Sequence, residues 1–470
     1  MHGTMRREVW GLLALPVAAA IAAPARAQGS LPPDMRAVID SAVTSVLAQS
    51  GAPSASIAVV RGAQVAYARA YGSARLNPPT PATPDMRYSI GSISKQFTAT
   101  AILLLAERGQ LSLDDRLNKW VPLLTRAGNV SVRQLLSMTS GYQDYWPQDY
   151  VMPGMLQPTT AREITDTWAR KPLDFEPGTK WQYSNTNYVI AGMIVEQVSG
   201  MPLVDFLKQA VFVPLHMQSV AIIDEGPLGP SDPQGYLRYA LGPPRPAPKE
   251  GKGWLFAAGE LAMTAFDLAQ WDISVIRQTV LKPASYREQQ TTTLLTDGSS
   301  TGYGLGVNVG VADGHRVISH GGEVSGFTAQ NRIYPDDSAA VVVLVNQDAS
   351  AAAAQIAARV GNALFAVTDS EAPQVAAKVK QIFRELQHGR INRLLFTSNA
   401  NAYFSQQALA DFASSLGPLG APTEVVQLGR SLRGGMVYRA FRVRCGEKTV
   451  IVSTFMMPTG LFEQFQVSGG

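Results

Sequence analysis

The apolar positions of the chain change period several times, and each change marks an element. From Met35 to Leu47, Val38, Val43 and Leu47 mark an amphipathic helix. Residues 54–60 and 64–71 are β-rich runs joined by a short turn at Arg61-Gly62. A long helical pattern runs from Ser92 to about Glu107 and ends at Gly109. Between about 110 and 290, helical patches alternate with Pro/Gly loops. Strand signals return at Tyr303–Val309, Val317–His320, Thr328–Ile333 and Ala340–Val345, the last an unbroken apolar run of the kind a buried central strand shows. An Ala-rich helix from Ala351 to Phe365 follows. Strands at both ends with helices between them predict one α+β domain whose sheet joins distant segments.

Residues 368–374, with Asp, Ser, Glu and Pro, have the composition of a linker. Beyond them Val375, Val379, Ile382, Phe383 and Leu386 form an apolar stripe at helix spacing. Strand runs follow at Val437–Val443, Thr449–Thr454 and Leu461–Val467, so 375–470 is expected to be a small α+β domain of its own. At the other end, Arg6 and Arg7 precede an apolar run from Val9 to Ala23, and Ala25-Arg26-Ala27 supplies an A-x-A site. These are the regions of a secretory signal peptide, expected to be cleaved after Ala27 and to leave a periplasmic or secreted bacterial protein whose first domain spans 28–367. No later stretch reaches eighteen uninterrupted apolar residues, so no stable membrane insertion is expected after cleavage.

Composition narrows the classes further. With 46% hydrophobic and 16% charged residues, the 470-residue chain is globular rather than disordered. The single cysteine, Cys445, excludes an internal disulfide framework and a Cys-rich zinc site. The net charge of +4 is unevenly spread: residues 1–27 carry three basic and one acidic side chains, 28–372 carry 26 and 30, and 373–470 carry 11 and 5. Residues 28–372 are therefore mildly acidic, and no nucleic-acid partner is expected. The basic excess, around Arg430, Arg433, Arg439, Arg442, Arg444 and Lys448, reads as a solvated face or as a surface for an anionic partner.

Three polar clusters far apart in sequence carry the chemistry. Ser92-Ile93-Ser94-Lys95 opens the long helix, and residues i and i+3 share one face, so the Ser92 hydroxyl and the Lys95 amine can meet. A lysine whose pKa is lowered by desolvation can take the serine proton, and the N–H of Ser92 at a helix start can supply half of an oxyanion hole. The second cluster is Tyr183-Ser184-Asn185: a tyrosine near lysines can ionise and relay a proton, and the Asn185 amide can hold the lysine and a substrate carbonyl. The third is His320-Gly321-Gly322, where the glycines admit a substrate backbone to a strand edge and His320 can donate toward Tyr183 and substrate. Taken singly, each is as well explained by an N-cap serine, a polar turn or a structural histidine.

Together, the order S-x-x-K, Y-x-N, then H-G-G resembles the serine β-lactamases, penicillin-binding proteins and related esterases, within the branch of class C β-lactamases, DD-carboxypeptidases and family VIII esterases. Tyr88-Ser89-Ile90-Gly91, Leu135 to Gly141, Glu176-Pro177-Gly178 and Ala257-Ala258-Gly259 match the same pattern, and the resemblance covers residues 33 to 366. It implies a β-lactamase-like domain, an antiparallel sheet flanked by helices plus a helical region. It implies an acyl-enzyme on Ser92, Lys95 and Tyr183 as proton-transfer partners, and Asn185, His320, Gly321 and Gly322 as substrate-binding residues. The second oxyanion donor is expected at the N–H of Val324 or Ser325. His320 stands in place of the lysine of a K-T-G triad, and Gly321 removes its hydroxyl. Neutral histidine is a weaker carboxylate anchor than lysine, which favours esters, or amides and peptides held otherwise, over β-lactams. β-Lactamase, D-Ala-D-Ala carboxypeptidase or D-aminopeptidase activity is the alternative reading, and a non-catalytic sensor on the same scaffold a third. The small C-terminal domain resembles nuclear-transport-factor-2-like folds.

The aromatic loop with Tyr142, Tyr145 and Trp146 is a candidate cleft wall for a small-molecule or peptide substrate, although such rings also serve simply as packing. Gly298-Ser299-Ser300-Thr301-Gly302 matches G-x-S-x-G but lacks the strand before it that an α/β-hydrolase elbow needs. His216, His315 and His388 show no metal-ligand spacing, so neither a metal nor a cofactor is expected.

Overall fold

The computed structural model describes residues 31–469 apart from positions 313, 367, 368 and 370. The proposed signal segment 1–27 and parts of the proposed linker therefore lie outside the described residues. The chain divides into two compact units, with the boundary between Phe365 and Ala366.

In the first unit, helix α1 (Pro33–Ser50) starts with proline at its first turn and stops at Gly51, whose N–H returns to the Leu47 carbonyl. Its buried stripe is Ile39, Val43 and Val46; Val38, expected to face the core, is exposed. Strands β1 (Ser54–Arg61), β2 (Gln64–Leu76) and β3 (Pro79–Pro81) come next, and the chain re-enters the same sheet much later. Between them lie helix α2 (Ser94–Glu107), preceded by a tight 3-10 turn at Gly91–Ile93, then α3 (Asn185–Ser199) and α4 (Ala265–Arg277). The sheet is completed by β4 (Asn308–Ala312), β5 (His315–Val324), β6 (Phe327–Tyr334) and β7 (Ala339–Val345), followed by α5 (Ala352–Phe365). The seven strands lie in the order β3-β2-β1-β7-β6-β5-β4, so the first and last segments meet at β1 and β7, paired antiparallel with Ile57 opposite Val343.

Those two central strands are buried on both faces. Ala58 and Val60 of β1 with Val342 and Leu344 of β7 join a core that contains α2 and α4. The alternate residues, Ile57, Val59, Val341 and Val343, join a core with α1 and α5, through Ile39, Val43, Ile356 and Val360. The period-two alternation of a strand thus feeds two apolar layers, which is why both segments read as unbroken apolar runs.

One expected strand is absent. Of Tyr303–Val309, only Asn308 and Val309 belong to a strand. The Leu305 N–H goes instead to the Gln289 carbonyl and the Gly306 N–H to the Leu136 carbonyl, so this segment is bonded into the helical region. The Gly298–Gly302 stretch is likewise a loop among bends and turns.

In the second unit, helix α6 (Ala372–Leu386) begins three residues earlier than expected, within the proposed linker, and buries the whole stripe from Val375 to Leu386. Two short helices, α7 (Ser398–Tyr403) and α8 (Gln406–Leu416), precede a sequential antiparallel sheet of β8 (Glu424–Arg433), β9 (Met436–Cys445), β10 (Lys448–Met456) and β11 (Phe462–Gly469). Phe383, Phe441, Val443, Val452, Phe462 and Phe465 form its core. Strand β8 escaped the sequence reading because it is an edge strand with mostly polar, exposed positions.

Candidate active site

The turn at Gly91–Ile93 presents Ser92 half-buried at the entry to α2, and the next helical turn carries Lys95, which is fully buried. Lys95 Nζ donates to Ser92 Oγ at 2.9 Å, to Asn185 Oδ1 at 2.8 Å and to the Ala258 carbonyl at 2.8 Å. None of these direct partners is charged. Burial therefore brings the ammonium down to about 7, with the more distant Asp144 carboxylate pulling it up. Burial thus readies the Lys95 ammonium, in contact with a serine hydroxyl, to give up a proton near neutral pH.

Tyr183 and Asn185 arrive on the approach to and first turn of α3. The Tyr183 phenol lies beside Ser92, and the Lys95 ammonium lies 5.0 Å from the Tyr183 ring centre. Burial raises the phenol well above its ordinary value, with Ser92 opposing and Asp144 adding to it. Burial thus favours the protonated phenol at neutral pH, which leaves Lys95 the better base and Tyr183 a carrier of its own proton. Asn185 is gripped from its other end by Asp144, a residue the sequence reading missed. Asn185 Nδ2 donates to Asp144 Oδ1 at 3.2 Å and Oδ2 at 3.3 Å, and the Asn185 N–H to Oδ1 at 3.0 Å. Nothing in a lone aspartate two residues before Trp146 marks it; only the fold brings it to Asn185.

His320, Gly321 and Gly322 lie on β5 beside these groups. Both nitrogens of His320 are occupied, Nδ1 against the Gly321 carbonyl at 2.5 Å and Nε2 with the Tyr303 hydroxyl at 2.9 Å. Burial and the nearby Lys95 charge bring the imidazole down to about 4, against the pull of the Gly321 carbonyl. His320 is therefore neutral and bonded to Tyr303, not donating toward Tyr183 as expected. Gly322 permits the strand to touch the nucleophile's turn: a Cβ there would lie 1.9 Å from the Ile90 carbonyl oxygen.

The strand also corrects the expected oxyanion donor. The Ser325 N–H is bonded to Glu250 Oε1 at 2.8 Å. Val324 pairs with Phe327 across a two-residue hairpin, so antiparallel alternation turns its N–H toward β6 and that of Glu323 away from it. The backbone nitrogen of Glu323 lies against Gly91, 2.7 Å from where a Cβ of that glycine would be. Glu323, not Val324 or Ser325, thus aims its N–H beside Ser92.

A cavity of about 310 Å³ opens on Ser92, Tyr183 and Asn185. Tyr145, Trp146, Tyr150 and Leu255 supply its apolar wall, and Asp144, Asp149, Glu323 and Asp348 its charged groups. Tyr142 does not reach it. That ring is buried in the core, with its hydroxyl on the Thr125 carbonyl at 2.9 Å. Ser92 and Tyr183 also border a second hollow lined by His320, Gly321, Gly322, Thr328 and Gln330.

The family profile described as Beta-lactamase matches residues 39–364, well over half of the chain. The chain belongs to the beta-lactamase family. Penicillin-binding protein 4* of Bacillus subtilis (strain 168) is 26% identical over 307 residues, 62% of this chain and 68% of that protein. A D-aminopeptidase of Brucella anthropi is 28% identical over 329 residues, 69% of this chain but only 62% of that protein. Among solved structures, D-amino acid amidase from Ochrobactrum anthropi SV3, complexed with L-phenylalanine amide, superposes with a TM-score of 0.62 at 25% identity, covering 70% of this chain and 98% of that one. This beta-lactamase family member is a serine hydrolase of α+β fold.

Proposed function

We propose that the protein hydrolyses small amides or peptides whose acyl part carries a positive charge beside the reacting carbonyl, through an acyl-enzyme on Ser92. The observation that carries this reading is the lining of the cleft. Asp144, Asp149, Glu323 and Asp348 are among its lining residues, Glu323 and Asp348 each also accepting a backbone N–H, while no Lys or Arg is among the described ones. Lys95 is buried behind Ser92, and His320 is neutral. Such a cleft repels the carboxylate of a penicillin or of a D-Ala-D-Ala terminus and attracts an ammonium. The names of the D-aminopeptidase and D-amino acid amidase relatives support an α-ammonium of a D-amino acid residue, and the aromatic wall suits an apolar side chain.

The chemistry follows from the geometry. Neutral Lys95 accepts the Ser92 proton as Oγ attacks the carbonyl carbon, and the N–H groups of Ser92 and Glu323 receive the oxyanion. The proton returns to the leaving nitrogen through Lys95 and the protonated Tyr183, the C–N bond breaks, and water then hydrolyses the acyl ester by the reverse relay. A nucleophile-directed fluorophosphonate is expected to label Ser92, and D-alanine amide to be turned over at least tenfold faster than N-acetyl-D-alanine amide. No label at Ser92 defeats the mechanism. Equal or reversed turnover of the two amides defeats the cationic-substrate reading.

A further inference from the structure

We infer that Asp144 is a positioning residue that couples the charge of the substrate to the charge state of the base, through the Asn185 amide. The inference rests on the cationic-substrate reading above and extends it from recognition to activation. The three groups form a directed chain. Lys95 Nζ donates to Asn185 Oδ1 at 2.8 Å, and Asn185 Nδ2 donates to Asp144 at 3.2 and 3.3 Å. A carboxylate drawing on the N–H end of an amide makes its carbonyl end a stronger acceptor, so Asp144 favours the charged form of Lys95 by polarisation as well as by direct attraction. The orientation of Asn185 is fixed by the same bonds, since reversing the amide would set its NH2 against the ammonium.

The other neighbours of Lys95 do not duplicate this effect. Ser92 on the nucleophile turn and the Ala258 carbonyl are neutral acceptors. Tyr183 and Tyr188 present rings 5.0 and 5.6 Å from Nζ, and burial keeps both phenols protonated. His320 on β5 is uncharged near neutrality. Asp144 is thus the carboxylate in this set, raised by burial against the pull of the Trp146 and Asn185 N–H groups and of Lys95, and it also lines the cavity. Its Oδ1 accepts the Trp146 and Asn185 N–H groups, whereas Oδ2 accepts only the long bond from Asn185 Nδ2 among the described residues.

A substrate ammonium seated on the cavity side of Asp144 neutralises the carboxylate and adds a positive charge near Lys95. Both effects drive the proton off the lysine. An empty site, or one holding an uncharged acyl group, leaves Lys95 more protonated at the same pH. The base is therefore readied by the charge that the cleft selects.

The test compares D-alanine p-nitroanilide with its deaminated counterpart, propionic acid p-nitroanilide. Reading kcat at saturation reports the enzyme–substrate complex and removes the titration of the free amine. The acid limb of kcat is expected about one pH unit lower for the ammonium compound than for the deaminated one. In Asp144→Asn that difference shrinks to what direct repulsion between the two ammonium groups leaves, and KM rises at least tenfold more for the ammonium compound than for the deaminated one. Coincident acid limbs in the wild type, with the ammonium compound still preferred in kcat/KM, overturn the coupling and leave the cleft reading standing. No preference for the ammonium compound overturns the cleft reading and the coupling with it. The wild-type comparison decides even where the variant fails to fold.

Discussion

Each unit of the molecule buries a cation, and the two are treated in opposite ways. Lys95 in the first unit and Arg439 in the second both have fully buried side chains. Around Lys95 every direct acceptor is neutral, and the ammonium falls to about 7. Arg439 instead meets Asp369 through two bonds, Nε to Oδ2 at 2.6 Å and Nη2 to Oδ1 at 3.0 Å, with Glu371 Oε2 at 2.8 Å. There the cation keeps its charge, and Asp369 is held down to about 2, chiefly by the Arg439 bonds. Desolvation is relieved in the first case by releasing a proton and in the second by importing a counter-charge. The first arrangement makes a base. The second makes a rivet that fastens the chain ahead of α6 to β9.

The sharpest way to test that contrast is to remove the lysine. Lys95→Met is expected to lower kcat/KM by about 10⁴-fold, the scale seen when one member of a proton-relay set is lost. Stability should respond differently. A lysine whose folded value is below its unfolded value binds fewer protons folded than unfolded, so wild-type stability rises with pH between about 7 and 10.5. Urea midpoints measured across that range should climb less in Lys95→Met. Equal slopes would mean that Lys95 does not carry the burial penalty, and the contrast with Arg439 would collapse.

Next in size is the rivet itself. Asp369→Asn leaves the buried guanidinium only the exposed Glu371 carboxylate and should destabilise the second unit by about 3–5 kcal/mol. A further Arg439→Met change should restore most of that loss, because a pair removed together leaves no orphan charge. The wild-type contribution is present above the unfolded carboxylate value of about 3.8 and is lost as pH falls toward 2. All seven tryptophans lie at or before Trp271, so their fluorescence does not report this unit directly. Hydrogen exchange of the β9 and β10 amides does. Expected are faster exchange there in Asp369→Asn and an unchanged rate of Ser92 labelling by fluorophosphonate. Slowed labelling would tie the rivet to catalysis and remove the division of roles.

The same contrast shows what was legible in the sequence. Ser92 and Lys95 are one helical turn apart, so spacing alone places them together, and Tyr183 and Asn185 share a second short segment. The buried strands and the α6 stripe were legible because period and burial coincide. Asp144 was not, since its partner Asn185 is 41 residues away and the contact exists only after folding. The rivet was missed for the same reason: Asp369 and Arg439 are 70 residues apart, and Arg439 read as one of a run of surface arginines. Its strand in fact alternates, with Arg442 and Arg444 outward and Phe441 and Val443 inward on the face that also carries Arg439. Tyr142 failed in the opposite direction. An aromatic beside a proline-rich loop suits a cleft or a core equally, and its hydroxyl found the Thr125 carbonyl.

The smallest effect separates the two carboxylates of the rivet. Glu371 and Asp369 both reach Arg439 within hydrogen-bond distance, at 2.8 and 2.6 Å, so distance alone would rank them as near equals. Their exposure differs widely: the Glu371 side chain is 59% exposed and that of Asp369 is 7% exposed. Water and salt screen the first and not the second, and the exposed side chain must also be ordered to make its bond. Glu371→Gln is therefore expected to cost less than about 1 kcal/mol, and that cost should vanish in 1 M salt. The Asp369→Asn penalty should persist at the same salt concentration. Equal losses for the two variants would show that contact geometry, rather than burial, sets the strength of the pair, and the explanation given for Lys95 would then have to be argued from its acceptors alone.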